Sequence, residues 1–120
     1  MNDVLITFET AKLAKEKGFK RAYEFYKSDG NLEDFGMVGG YSDCHDNNYA
    51  APTQANLQKW LRDEYNIHIE IQSPDNTEEG WKISSIRKIS NPFSVWDTEE
   101  SFDNYEKALE MGLQTALNLI

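Results

Sequence analysis

Between Leu57 and Ile71 the spacing of apolar residues changes period, and the change predicts a helix running almost directly into a strand. Leu57, Trp60, Leu61 and Tyr65 recur at i, i+3, i+4 and i+8, which gathers them on one face of a helix, with Gln58, Lys59, Arg62 and Asp63 on the other. From Ile67 the period is 2. Ile67, Ile69 and Ile71 alternate with His68, Glu70 and Gln72, so a β-branched row faces a core while a polar row faces water. The central helix starts at Pro52 or Thr53, where unpaired backbone N–H groups are able to receive an anion.

Weaker patterns flank this pair. Residues 7–18 read as a first helix, with Thr7 as N-cap, Ile6 stapled onto Ala11, and Gly18 ending it so that Phe19 folds back on Ala14. Its lysines (Lys12, Lys15, Lys17) read as a solvated face. Tyr23, Phe25 and Tyr26 place a strand over 20–27, the Asp29-Gly30 pair closes a hairpin, and 32–37 returns. The segment 36–51, rich in Gly, Asp and Asn, shows no hydrophobic period and reads as a long irregular loop, a type that is usually functional or disordered.

Beyond the central strand, 73–80 is a polar turn and 81–89 a returning strand. Trp81 and Ile83 share a parity that Ile86 does not, which predicts either a bulge near Ser84-Ser85 or a strand partly covered on both faces. Asn91-Pro92 breaks the run, and 93–96 forms one more short strand. A terminal helix starts at Asp103 or Asn104, with Asp103 and Glu106 as a capping pair. Its stripe is Tyr105, Ala108, Leu109, Gly112, Leu113, Ala116, Leu117 and Ile120; Gly112 admits a close neighbour, and Met111 and Leu119 fall outside.

The 120 residues suffice for one domain, 1–120, burying about two-thirds of its unfolded surface without staples. The lone Cys44 excludes an intramolecular disulfide, and the opening MNDVLITFET lacks the features of a secretory signal, so a cytoplasmic location is expected. No apolar run approaches the roughly 20 residues of a membrane span. The net charge of −9 argues against autonomous nucleic-acid binding, which needs clustered Lys and Arg. Acidity concentrates at the C-terminal end: residues 91–120 carry one basic and six acidic groups, against six and seven in 1–35. Lys20, Arg21 and Lys27 interleave with aromatic residues, but Glu24, Asp29, Glu33 and Asp34 offset them.

Ligand-type residues cluster once, at Asp43-Cys44-His45-Asp46. Four adjacent side chains do not converge on one ion, and no Cys-x-x-Cys or His-x3-His completes a tetrahedron, so no metal is assigned. As a nucleophile–base pair, Cys44 and His45 are flanked by two carboxylates, which oppose thiolate formation. Gly36, Gly39 and Gly40 match no phosphate-binding loop. Glu78-Glu79 and Glu99-Glu100 lie in polar stretches, without the burial that tunes a hydrolytic pair. No catalytic residue and no cofactor are therefore assigned.

Several blocks together carry a resemblance: the segment APTQANLQKWLRDEYNIHI, Phe8-Glu9-Thr10-Ala11, Lys17-Gly18-Phe19, and the terminal stretch YEKALEMGL that opens at Tyr105. In these the chain resembles a family of small uncharacterised proteins from Bacteroides-type gut bacteria and their phages and prophages. The resemblance implies a phage or mobile-element setting and transfers no activity, cofactor or site residue.

The expected fold is α+β in the order α-β-β-α-β-β-(β)-α: a mostly antiparallel sheet of four or five strands, the central and terminal helices on one face and the first helix at an edge. The expected function is that of a non-enzymatic accessory protein acting through a protein partner or as a homodimer. The alternative is an enzyme or small-ligand-binding domain using the 36–51 loop, with Tyr41, Asp43, Cys44, His45, Asp46, Tyr49 and Thr53 beside the start of the central helix.

Overall fold

In the computed structural model, which describes residues 4–33, 40–74, 80–88, 91–96 (backbone only) and 100–120, the first helix, α1 (Phe8–Glu16), is closed at both ends by local chemistry. The Thr7 hydroxyl accepts the Thr10 N–H at 3.3 Å. At the other end Gly18 adopts φ 101°, Phe19 N–H donates to the Ala14 carbonyl at 2.9 Å, and Gly18 N–H donates to that of Lys15 at 3.1 Å. Those are the two bonds of the expected glycine cap, and they bury Phe19 beside Ala14.

The chain divides into two compact units, Met1–Thr53 and Gln54–Ile120. In the first, α1 lies against β4 (Asn48–Ala50), which pairs antiparallel with β2 (Phe25–Lys27). A second antiparallel pair joins β1 (Arg21–Ala22) to β3 (Ser42–Asp43). The core sets a few larger side chains among alanines: Ile6, Thr10, Ala11, Ala14, Phe19, Ala22, Phe25, Ala50 and Ala51 are buried. The expected turn forms, with Asp29 Oδ1 accepting Asn31 N–H at 3.0 Å and the Asn31 carbonyl accepting Lys27 N–H at 2.7 Å. Its return is a bridge from Leu32 to Tyr26; residues 34–37 lie outside those described.

Two expectations are corrected here. The strand over 20–27 is two strands, β1 and β2, separated by Tyr23 and Glu24. The 36–51 segment is not irregular throughout, since β3 and β4 lie in it. The inward positions of β4 are Asn48 and Ala50, flanking a half-buried Tyr49. An alanine and an asparagine alternate as a strand does, yet carry no hydrophobic signal.

In the second unit α2 (Gln54–Tyr65) ends at Asn66, whose φ of 56° turns the chain within one residue into β5 (Ile67–Gln72). β6 (Trp81–Lys88) pairs antiparallel with β5 on one side. On its other side it pairs with β7 (Asn91–Trp96) and β8 (Ser101–Phe102). The α+β class and the antiparallel pairing are as expected, but among the described residues the strands form three sheets and not one: this four-stranded sheet and the two strand pairs of the first unit. Glu70 faces Ser85 and Ile71 faces Ile83, so Ser84 is the extra residue of the expected bulge. The bulge restores parity: Ile83 and Ile86 are 1% and 0% exposed.

The helix α3 (Tyr105–Asn118) packs on β5 and β6, and α2 packs on α3 and β5. Leu57 and Leu61 from α2, and Leu109, Leu113 and Leu117 from α3, close over Ile67, Ile69, Ile83 and Ile86; each burial is worth about 1.5–3 kcal/mol. The capping pair is corrected. Asn104 is the N-cap, accepting Lys107 N–H at 2.8 Å, while Asp103 pairs with the Lys107 ammonium at 3.2 Å. Two adjacent Asx residues offered the same cap, and the first helical turn took the nearer one. Of the polar turn at 73–80, residues 75–79 lie outside those described, as do 97–99.

A Cβ at Gly112 would lie 3.0 Å from Ile69 Cγ2. Gly112→Val is therefore expected to lower stability by about 1–3 kcal/mol in urea unfolding, through overpacking. The Asn31 N–H donating to Asp29 holds that carboxyl below the ordinary aspartate range. An NMR titration should give a midpoint below that of an unstructured aspartate. The turn's contribution is then present above the unfolded pKa and lost as pH falls through the lower folded one.

Candidate binding surface

The segment that opens β4 is held by one side chain of α1. The Lys15 ammonium donates to the carbonyls of His45 at 2.7 Å, Asp46 at 3.2 Å and Asn48 at 2.8 Å, and lies 4.7 Å from the centroid of the Tyr49 ring. All three of its protons thus have acceptors. Buried Asn48 completes the turn: its Oδ1 accepts His45 N–H at 2.5 Å and its Nδ2 donates to Glu33 Oε1 at 3.1 Å. This corrects the reading of α1's lysines as a solvated face. Lys12 sits 5.0 Å over the Phe8 ring, and Lys15 is a structural tie.

The seven residues singled out around this segment fall into separate neighbourhoods. Tyr49 packs edge-on against Phe8 with centroids 5.4 Å apart, and Phe8 also meets Tyr26. Thr53 forms a bridge with Leu5. Cys44 is half-buried with a free thiol, and its N–H donates to the Lys20 carbonyl at 2.7 Å. His45 and Asp46 are exposed and contribute backbone carbonyls to Lys15. Among the described residues no group of three His, Cys, Asp or Glu side chains is placed to hold a metal ion.

Tyr41 and Asp43 come together with two partners from β1 and the residue after it. Arg21 faces Asp43 across the strand pair, and Ala22 faces Ser42, so continuing the register sets Tyr23 opposite Tyr41. The Tyr23 and Tyr41 rings lie 5.0 Å apart at 46°. Arg21 Nε reaches Asp43 Oδ1 at 3.1 Å, and its guanidinium lies 5.3 Å from the Tyr41 centroid. The cluster is open to solvent: Tyr23 is 62% and Tyr41 49% exposed. An ion pair this exposed adds at most about 1 kcal/mol, so folding alone gives little reason for the arrangement.

Arg21 and Tyr23 were not among the expected site residues. Their signal was the matching i, i+2 spacing of Arg21–Tyr23 and Tyr41–Asp43, which means something only once the two segments are known to pair. Glu100 is exposed, and Gly36, Gly39, Glu78, Glu79 and Glu99 lie outside the described residues.

Compared with protein-family models, curated proteins and solved structures, the chain matches none of the three. Among the described residues no helix is long and apolar enough to cross a membrane.

Lys15→Met keeps the aliphatic stem and removes the donors. It is expected to cost about 1–3 kcal/mol, the range for stranding partly buried acceptors. Hydrogen exchange should accelerate at residues 44–48 and stay unchanged in α3; uniform protection in both would show that the turn does not depend on the ammonium.

Proposed function

We propose that the protein is a small non-enzymatic accessory protein of phage, prophage or mobile-element type, working in the cytoplasm by binding a protein partner. The observation that carries this reading is the open cluster of Tyr23, Tyr41, Arg21 and Asp43. Tyrosine and arginine are the residues enriched in protein interfaces. Tyrosine supplies large contact area with only two side-chain torsions to immobilise. The likeness to proteins of gut bacteria and their phages supplies the setting. The competing reading, a catalytic or ligand-binding loop, draws less support. Asp43 is engaged by Arg21, and the carbonyls of His45, Asp46 and Asn48 are engaged by Lys15.

Affinity capture from host cells during phage infection tests the proposal, comparing the wild-type chain with a Tyr23→Ala/Tyr41→Ala variant of unchanged circular dichroism. A partner retained by the first and lost by the second is the expected result. Absence of any partner, or equal retention by both, would overturn it.

A further inference from the structure

We infer that the partner surface docked on Tyr23 and Tyr41 is a cationic segment that lays an arginine guanidinium on the Tyr23 ring. The inference rests on the protein-binding function proposed above and adds the chemistry of the partner. The chain holds its own example of the contact: Arg21 rests on Tyr41 at 5.3 Å while pairing with Asp43 at 3.1 Å. The ring beside it, Tyr23, is 62% exposed. The face of such a ring attracts a cation, guanidinium most often.

Charge decides between the two occupants an aromatic, mixed-charge surface could take. The cluster pairs Arg21 with Asp43 and is self-complementary in form, as a two-fold contact between copies requires. Each copy, however, carries −9, so two copies repel. A basic segment is attracted instead. The charged groups nearest in sequence to the two tyrosines are Lys20, Arg21, Glu24 and Asp43, and residues 1–53 as a whole carry six basic and nine acidic groups. Steering therefore comes from the acidic chain, and placement from the rings.

The test is an NMR titration of the full chain with acetyl-tetraarginine amide, with tetraglutamate and tetraglycine as controls, at about 50 and about 300 mM NaCl. Tyr23, Tyr41 and Arg21 resonances are expected to move together with tetraarginine alone, and less at the higher salt. Tyr23→Ala should weaken binding about 2- to 5-fold, the factor of one exposed cation–π contact, and Tyr23→Phe should restore it. The inference is overturned if the shifts spread over residues 91–120 with Tyr23 unmoved, or if Tyr23→Ala binds as the wild type does. It is overturned equally if the same resonances move with protein concentration alone, since a second copy then occupies the face. If capture depends on the two tyrosines while tetraarginine fails, the cationic class falls and the binding function stands; if capture itself fails, the function falls.

Discussion

The Lys15 ammonium, with three carbonyl acceptors on residues 45, 46 and 48, is the contact on which the first unit turns. A polar stretch of backbone must find partners for its carbonyls, and the 44–48 segment has few apolar side chains to hold it in place. One charged donor reaching across from α1 supplies those partners. It does so at the start of β4, whose Asn48 and Ala50 face inward and whose Tyr49 meets Phe8. Asn48 works from the other side, spending its amide on His45 and Glu33. This unit combines these polar ties with a core in which alanines surround Ile6, Phe19 and Phe25.

The second unit has the opposite character. Branched aliphatic residues dominate, and backbone adjustments exist to aim them. The extra residue at Ser84 returns Ile86 to the face used by Ile83, and Gly112 lets α3 settle against Ile69. Either adjustment alone would leave a large side chain misplaced. Gln54 adds one polar tie, donating to the Glu106 carbonyl at 2.8 Å and to Glu110 Oε1 at 2.9 Å, so the start of α2 is anchored to α3 by more than packing.

Against these two scaffolds the cluster at Tyr23 and Tyr41 stands apart energetically. Its ion pair is solvated and its rings bury little, so its worth to folding is small. Groups arranged at little benefit to stability are the natural place to look for recognition, and this is the physical content of the functional proposal. Arg21 and Asp43 lie on strands only two residues long, β1 and β3, with Tyr23 and Tyr41 just outside them, and the Cys44 N–H donating to the Lys20 carbonyl adds a further bond between the two segments.

What the sequence by itself determined is whatever depends on neighbours along the chain. The period change at Ile67, the glycine cap at Gly18, the turn at Asp29-Gly30, the bulge between Ile83 and Ile86, and the stripe of α3 from Ala108 to Leu117 are all local patterns, and each is present; Tyr105, counted in the same stripe, is exposed. What only tertiary structure decided involves residues distant in sequence. Asn48 and Ala50 alternate without hydrophobic contrast, so β4 emerged only when paired with β2. Lys15 looked like any solvated lysine until carbonyls some 30 residues away closed on it. Arg21, Tyr23, Tyr41 and Asp43 became one surface through the register of β1 with β3, because pairing between short polar strands is chosen by the chain around them and leaves no period of its own.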